Sequence, residues 1–337
     1  MKIIIDCLGG DNSPKANVEA ALLALRKHSD LSVVLTGDET EIKKIIEARG
    51  MGLDRIEIVH APDVITGDDK PTDAIRLKKD SSMMKAIRLL RENDDMEALV
   101  STGATGALVA STILRIGRIE GVRRPAFCPV IPNMKGGVVG ICDSGANPMV
   151  TPDILLQFAI MGSRYMEAVY KIKNPRVGLL NIGTEAEKGD DLRREAYKLL
   201  SENKEICFAG NMEARELLSG DYDLVVCDGF SGNVLVKSVE GTALQLMKKI
   251  KGDIYSKKKY KLGALFMKKM FEEEKEFMNY QNYGGSVMLG AEKTIVKGHG
   301  SSDRKAVLKC IDQAYRMVKI GLNKKTAESI RKSMPEE

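Results

Sequence analysis

The sequence contains no tryptophan and only three histidines among its 337 residues. His28, His60 and His299 lie far apart, and no cysteine or carboxylate motif surrounds the first two, so a multi-histidine metal centre is not expected. The uncharged apolar runs are all shorter than the roughly 18 residues that suggest a membrane-spanning helix. The amino-terminal residues read as a strand followed by an acidic loop, which differs from a secretory signal. These absences predict a cytoplasmic protein that holds no metal.

Cysteine is also sparse, and no two cysteines form a CxxC pair. Several lie inside strand-like runs. The six positions are Cys7, Cys128, Cys142, Cys207, Cys227 and Cys310. We expect buried free thiols in a reducing compartment, with disulfides or a metal cluster as the less favoured alternatives.

The rest of the composition is that of an ordinary globular protein, with 43% hydrophobic and 29% charged residues. The net charge of +5 is too small to argue for nucleic-acid binding. Short β-branched runs alternate with amphipathic helical patterns, which predicts an α/β fold with a doubly wound, mainly parallel sheet. The predicted strands are 3–8, 31–36, 56–60, 98–101, 126–131, 138–142, 177–182, 206–209, 224–227 and 294–297. The predicted helices are 16–27, 40–49, 82–92, 192–202, 211–219 and 306–319. No linker or repeat interrupts the chain, so we expect a single α/β domain over residues 1–337.

One elaboration departs from the alternation, a helical hairpin predicted at residues 234–283. Apolar residues recur every three or four positions in each of its two helices. They are Val239, Ala243, Leu246, Ile250 and Ile254 in the first helix, and Leu262, Phe266, Met270 and Phe277 in the second. Residues 243–271 hold nine lysines and one aspartate, so their local charge of +8 exceeds that of the whole chain.

The main functional signal is a polar, glycine-rich loop after most predicted strands, at residues 9–13, 101–106, 143–147, 181–185, 228–233 and 298–302. Parallel strands end at one edge of a sheet, where such folds bind ligands, and exposed N–H groups there bind anions. One such loop is weak evidence, because turns in any α/β protein use glycine, but six together predict a phosphate-type or oxyanion site. The GxxxxGK[ST], GxGxxG and GxSxG fingerprints are absent, which disfavours an NTPase or an α/β-hydrolase.

Two side chains in these loops have competing interpretations. His299 lies between two glycines at a strand end, and we favour a site residue over a structural histidine. Lys188 follows the loop at residues 181–185, where a solvated lysine and a site residue are equally compatible with the sequence.

In order and spacing, these loops resemble the PlsX family, the bacterial phosphate acyltransferases of phospholipid synthesis. The resemblance covers residues 2–318. Its motifs are DCLGGD at 6–11, STGATGA at 101–107, DSGAN at 143–147, NIGTE at 181–185, CDGFSGN at 227–233, YGG at 283–285 and HGSS at 299–302. The chain has Asn12, Ala104 and Met149 where the family commonly has other residues.

The resemblance implies transfer of a fatty acyl group from acyl-carrier protein to inorganic phosphate, giving acyl phosphate for a downstream glycerol-3-phosphate acyltransferase. It implies a Rossmann-like fold of the isocitrate/isopropylmalate dehydrogenase and phosphotransacetylase type, a homodimer, no cofactor, and peripheral association with the inner face of the cell membrane. The implied catalytic residues are Lys188, Asn233 and His299. The implied substrate-binding residues are Asp6, Gly10, Asp11, Asn181, Gly183, Gly232, Ser301 and Ser302.

Attack by phosphate on a thioester does not need a Ser-His-Asp triad, because phosphate is already ionised near pH 7. The reaction needs a phosphate held beside the carbonyl and donors aimed at the developing oxyanion. We hypothesise that Lys188, Ser301 and Ser302 hold the phosphate. Asn233 would polarise the acyl carbonyl, and His299 would orient phosphate or exchange a proton with the departing thiol.

Two surfaces are predicted to meet partners. An anionic membrane surface is expected to contact Lys257, Lys258, Lys259, Leu262, Leu265 and Phe266, since apolar residues beside clustered lysines are typical of interfacial helices. Much of the apolar face of the hairpin is also expected to pack in a dimer, and a dimerisation hairpin with a solvated lysine face is the alternative to membrane contact. Docking of the acidic acyl-carrier protein is assigned to Arg115, Arg118, Arg123 and Arg124, with an ordinary solvated loop as the alternative.

Two other functions compete with acyl transfer. A nicotinamide-dependent decarboxylating dehydrogenase would need a metal-binding carboxylate cluster and a dinucleotide site, and the sequence assembles neither. A non-catalytic membrane scaffold for lipid enzymes would not need so many converging polar loops.

Overall fold

A computed structural model describes residues 1–278 and 280–333, so positions 279 and 334–337 of the predicted domain lie outside the described residues. The strands are β1 (Lys2–Asp6), β2 (Ser32–Gly37), β3 (Ile56–His60), β4 (Met96–Ser101), β5 (Ala126–Cys128), β6 (Val130–Pro132), β7 (Val138–Cys142), β8 (Arg176–Asn181), β9 (Cys207–Glu213), β10 (Leu224–Val226), β11 (Ser286–Leu289) and β12 (Thr294–Lys297). The helices are α1 (Lys15–Lys27), α2 (Glu39–Ala48), α3 (Pro71–Leu77), α4 (Ser82–Glu92), α5 (Thr105–Ser111), α6 (Pro152–Tyr170), α7 (Asp191–Glu202), α8 (Gly229–Ser256), α9 (Lys258–Phe266), α10 (Lys268–Met278), α11 (Arg304–Lys319) and α12 (Leu322–Ser333). A π-helical turn (Thr112–Ile116) continues α5.

The strands form two sheets. The first has the order β3-β2-β1-β4-β12-β11-β5, and the second has the order β6-β7-β10-β8-β9. Neighbouring strands are parallel except where β11 meets β12 and β5, and where β6 meets β7. The prediction of a mainly parallel α/β fold is confirmed, with the strands divided over two sheets.

Helices cover both faces of the first sheet because its strands alternate between two apolar clusters. On β1, Ile3 and Ile5 pack in a cluster with α1 and α11, while Ile4 packs in a second cluster with α4. The first cluster also contains Phe158 of α6 and Val177 of β8, so it joins the two sheets. This is the two-sided coverage that a doubly wound sheet requires.

The predicted strand 126–131 is divided between the sheets. β5 pairs with β11 in the first sheet, β6 pairs with β7 in the second, and Pro129 lies at the crossing. The Ser144 N–H, in the loop after β7, donates to the carbonyl oxygen of Phe127 at 3.1 Å. The crossing therefore brings strand ends of both sheets together.

Several elements differ from the prediction. Residues 211–219, predicted as a helix, form the end of β9 and a 3-10 turn (Ala214–Glu216), because parallel pairing with β8 outweighs the local helical pattern. β11, α3, α5, α6 and α12 were not predicted. α6 is buried over most of its circumference, so it lacks the polar face that makes a helix visible in sequence.

The predicted hairpin is a projection of three helices, α8, α9 and α10. Only residues in the first two turns of α8 are buried, and residues 243–271 are all exposed or partly exposed. Lys257 separates α8 from α9, and Met267 separates α9 from α10. Within residues 1–278 and 280–333, no helix combines the length and apolar character needed to cross a membrane.

Candidate active site

The loops that follow β1, β4 and β12 are joined by backbone hydrogen bonds. The Asp11 N–H donates to the carbonyl oxygen of Gly300 at 2.8 Å, and the Gly298 N–H donates to that of Ser101 at 2.9 Å. The Asn12 side-chain amide donates to the carbonyl oxygens of Ser301 and Ser302 at 3.1 and 3.2 Å. The three motifs therefore form one rigid edge of the first sheet.

The buried side chain of Asp6 stabilises this edge of the sheet through hydrogen bonds. Its buried carboxylate accepts hydrogen bonds from the hydroxyls of Ser82 (2.6 Å) and Ser101 (2.7 Å). Burial raises the pKa of Asp6, and the two serine hydrogen bonds oppose that rise. The carboxylate thus joins β1 to β4 and α4, which is a positioning role.

At the second sheet, the start of α8 is fixed by two aspartates. Asp228 caps the helix by accepting from the Ser231 N–H at 2.8 Å, and it forms an ion pair with Arg193. Burial raises the pKa of Asp228, but the hydrogen bonds from Ser231 and the charge of Arg193 outweigh it, so the net shift is downward. Asp143 is buried and accepts from the Asn147 side chain at 2.9 Å. A side chain on Gly232 would overlap the Asp143 carbonyl oxygen, so α8 packs directly on the loop after β7.

Between these two edges lies a cavity of about 160 Å³. Its polar lining residues are Thr105, Ser144, Asn233, Lys237, Glu240, Lys297, His299 and Ser302. Its apolar lining residues are Phe127, Pro129, Val130, Ile131 and Val236. The cavity therefore offers hydrogen-bonding and charged groups together with hydrocarbon surface.

Three of the predicted site residues line this cavity together, namely Asn233, His299 and Ser302. They come from different parts of the sequence, since Asn233 lies in α8 while His299 and Ser302 lie in the loop after β12. Ser301 contacts His299, with its hydroxyl oxygen 2.8 Å from the histidine Nδ1. The other predicted residues are not among those that line the cavity. Asp6 ends β1, Asn181 ends β8 and Gly232 lies in the first turn of α8. Gly10, Asp11, Gly183 and Lys188 lie in loops.

Lys188 lies on the exposed loop between β8 and α7. The side-chain amide of Asn181 donates to the Lys188 carbonyl oxygen at 3.0 Å, and the Lys188 N–H donates to Glu185 at 3.1 Å. These contacts order the backbone of the loop while the ammonium group remains at the surface. The loop adjoins α8 through Arg193, which reaches Asp228 from α7.

His299 lies at the rim of the cavity, with an exposed side chain. Desolvation of the ring lowers its pKa, and the neighbouring Lys237 lowers it further. The Ser301 N–H donates to Nδ1 at 3.2 Å, so the neutral ring carries its hydrogen on Nε2. A neutral histidine in this position can give or accept a proton near neutral pH.

Lys297 and Lys237 also line the cavity, and sequence reasoning did not select them. Lys297 is only 8% exposed, and burial lowers its pKa to about 8. The sequence feature that could have identified Lys297 is its position at the end of an apolar strand, directly before the Gly298-His299 loop. Lys237 lies four residues after Asn233, a spacing that places both on one face of a helix.

The cysteines are free thiols. Five are buried and Cys207 is exposed. Burial raises the pKa of Cys7, Cys142 and Cys227 well above the ordinary value, which keeps these thiols protonated. Among the described residues, no group of three or more histidine, cysteine or acidic side chains is arranged to hold a metal ion.

Comparison with known proteins gives a consistent result. Residues 1–325 match the family described as fatty acid synthesis protein. The chain is 46% identical over 318 residues to a protein called phosphate acyltransferase from Halalkalibacterium halodurans, covering 94% of this chain and 93% of that one. It is 44% identical over 319 residues to a protein of the same name from Clostridium tetani, covering 95% of each.

Solved structures show the same fold at low sequence identity. The EutD phosphotransacetylase from Staphylococcus aureus aligns with a TM-score of 0.59 at 16% identity, covering 94% of each chain. A phosphotransacetylase from Streptococcus pyogenes aligns with a TM-score of 0.60 at 14% identity, also covering 94% of each. The family match and the relatives extend over nearly the whole chain, and they confirm the resemblance drawn from the strand-end loops. The chain belongs to the fatty acid synthesis protein family, the PlsX family of phosphate acyltransferases.

Proposed function

We propose that this acyltransferase moves a fatty acyl group from acyl-carrier protein to inorganic phosphate, in the cavity between the two sheets. The observation that carries the proposal is the mixed lining of that cavity. The apolar lining residues, with Phe127, Val130 and Val236, suit the hydrocarbon next to the thioester, and the polar lining residues suit an oxyanion.

In the proposed reaction, a phosphate oxygen attacks the thioester carbonyl carbon. A carbon–oxygen bond forms, the carbon–sulfur bond breaks, and the thiolate leaves and takes up a proton. Asn233 donates from its side-chain amide to the developing oxyanion, and Ser302 and the loop N–H groups hold the phosphate. The neutral His299 orients the phosphate or exchanges a proton with the departing thiol, whose pKa of about 8.5 makes the demand modest.

The decisive experiment supplies acyl-carrier protein thioester and phosphate and traps the product with hydroxylamine. Phosphate-dependent hydroxamate is the expected result. Hydroxamate that does not depend on phosphate, or none at all, would contradict the proposal.

Docking of acyl-carrier protein is proposed at exposed arginines on two neighbouring surfaces. Arg118, Arg123 and Arg124 line one shallow depression, while Arg115 lines another together with Arg88. Arg123 is partly neutralised by Asp153. Charge reversal of Arg124 or Arg115 is expected to raise the KM for the acyl-carrier protein thioester in a salt-sensitive way, and a glutamate at Leu53, which lies outside both depressions, serves as the control.

The projection is proposed to contact the cytoplasmic face of an anionic membrane and a second copy of the chain. Phe266 is 86% exposed and Leu265 is 69% exposed, beside Lys257, Lys258 and Lys259. Unpartnered apolar side chains of this size favour a covering surface, and the lysines favour an anionic one. Acyl phosphate released there would pass to a membrane-bound glycerol-3-phosphate acyltransferase. Light scattering of the free protein tests the dimer, and vesicle co-sedimentation tests the membrane contact.

A further inference from the structure

The wall of the cavity holds a buried cation whose hydrogen-bond acceptors carry no charge. The Lys297 ammonium donates to the carbonyl oxygen of Thr102 at 3.4 Å and to that of Gly298. Asp6 attracts it from a distance, but the Asp6 carboxylate is already held by Ser82 and Ser101. Within residues 1–278 and 280–333, Lys297 forms no salt bridge.

A buried ammonium group is costly unless an opposite charge accompanies it. Burial accordingly lowers the pKa of Lys297 to about 8. Packing does not require a charge at this position, because an apolar side chain of similar length would occupy the same wall at lower cost. The placement is therefore better explained by an anion that enters the cavity.

A second cation lines the same cavity from a different element. Lys237 of α8 forms an ion pair with Glu240 at 2.8 Å, and its positive charge contributes to lowering the pKa of Lys297. The two ammonium groups repel each other. An anion bound between them converts that repulsion into attraction to both.

We propose that Lys297, assisted by Lys237, binds the acceptor phosphate in this cavity. The proposal rests on the proposed function and makes it more specific, since it assigns phosphate binding to the β12 end and α8 instead of to the loop that carries Lys188. Ser302, buried two residues before the start of α11, supplies a hydroxyl on the same wall. The ligand class is a tetrahedral oxyanion, with inorganic phosphate as the substrate.

Calorimetric titration with inorganic phosphate alone, without any acyl donor, tests this assignment. Lys297→Met is expected to weaken phosphate binding about tenfold or more, since it removes a charge-assisted hydrogen bond, and Lys237→Gln is expected to weaken it less. The matched control is Lys293→Met. Lys293 lies just before β12 and also donates to a backbone carbonyl, that of Met96 at 3.1 Å, but it does not line the cavity. The control should bind phosphate like the wild type.

A measurement on the wild type covers the case in which Lys297→Met does not fold. Phosphate should raise the pKa of the Lys297 ammonium, followed by NMR of labelled lysine, and a pKa that stays constant would overturn the assignment. Equal phosphate affinity in folded Lys297→Met and Lys293→Met would also overturn it. If the wild type binds phosphate through Lys297 but forms no acyl phosphate, the proposed function fails and the anion site remains. If acyl phosphate forms with an unchanged phosphate KM in Lys297→Met, the site fails and the function remains.

Discussion

The two ends of α8 belong to one continuous helix but have opposite surroundings. At its start, Leu235 and Val236 are buried, and Asn233 and Lys237 line the cavity. Beyond Gly241 every residue is exposed or partly exposed, including large apolar side chains. The first end is fixed by the tertiary structure of the enzyme body, whereas the residues of α8 beyond Gly241 belong to none of the apolar clusters of the described chain. The proposed chemistry and the proposed membrane contact are thus placed at opposite ends of a single helix.

The largest expected effect comes from Gly232→Ala in the body. A Cβ at this position would overlap the Asp143 carbonyl oxygen and lie 2.8 Å from the Cys227 sulfur, so α8 or the loop after β7 must shift. We expect a loss of about 3 kcal/mol or more in the free energy of unfolding, measured by denaturant titration.

Gly241→Ala is the control for that change within the same helix. No heavy atom lies within 4 Å of a Cβ built there, so alanine should be neutral or stabilise α8 by up to about 1 kcal/mol. Equal destabilisation by both substitutions would show that the two ends of α8 do not differ in packing.

Asn233→Ala tests the chemistry at the body end. Loss of an amide donor to the oxyanion should lower kcat about 100-fold with little change in the KM for the acyl thioester. Ser238→Ala, an exposed residue of the same helix that does not line the cavity, should retain wild-type turnover. Vesicle binding should be unchanged in both variants, and near-normal turnover of Asn233→Ala would remove the oxyanion role from this residue.

Leu265→Glu tests the proposed membrane contact of the projection, on α9. A carboxylate among exposed apolar residues and lysines should weaken binding to anionic vesicles about tenfold or more, while kcat with soluble substrates remains normal. Leu77→Glu is a matched control, because Leu77 is 71% exposed and Leu265 is 69% exposed, but Leu77 lies on α3 in the body. Co-sedimentation at increasing salt measures the effect, and equal vesicle binding by Leu265→Glu and the wild type would exclude this part of the projection as the contact.

A pH profile gives a smaller effect that is again confined to the body. Burial lowers the pKa of Lys297 to about 8. The side chain is therefore a charged ammonium below that pH, and it loses its positive charge as the pH rises through about 8. The KM for phosphate should therefore rise several-fold between about pH 7 and pH 9. The charged or titratable groups that influence Lys297 are Asp6 on β1, Cys310 on α11 and Lys237 on α8. Burial raises the pKa of Cys310 to about 12, so this thiol stays neutral throughout the range.

Lys297→Arg separates the titration of Lys297 from the titrations of phosphate and His299, because arginine keeps its charge at high pH. The titrations of phosphate and of His299 are shared by both proteins and cancel in the comparison. An identical rise in phosphate KM for Lys297→Arg and the wild type would show that another group is responsible.

The sequence predicts those strands, helices and loops that are determined by the pattern of apolar, polar and glycine residues within a short stretch of chain. Alternating strands and helices, and glycine-rich strand ends, are visible within short windows, so the α/β class and the loops bearing Asn233, His299 and Ser302 were predictable. The division into two sheets was not, because it depends on how 126–131 crosses between β11 and β7. Lys297 was missed for a related reason. Its proposed role comes from burial beside a cavity whose lining residues are distant in sequence, such as Phe127 of β5 and Asn233 of α8.

Substitution of Lys188 has the smallest expected effect on the kinetics. It also tests whether the family motif or the position of a residue in the structure is the better guide to its role. The motif assigns it a catalytic role, whereas its exposed side chain lies outside the cavity lining. If the chemistry takes place in the cavity lined by Lys297 and Asn233, Lys188→Ala should change kcat and the phosphate KM by less than about threefold, as expected for a surface lysine. Steady-state kinetics beside Asn233→Ala measures this. A loss as large as that of Asn233→Ala would mean that the β8–α7 loop closes over the cavity during the reaction, since Arg193 already ties that loop to the start of α8.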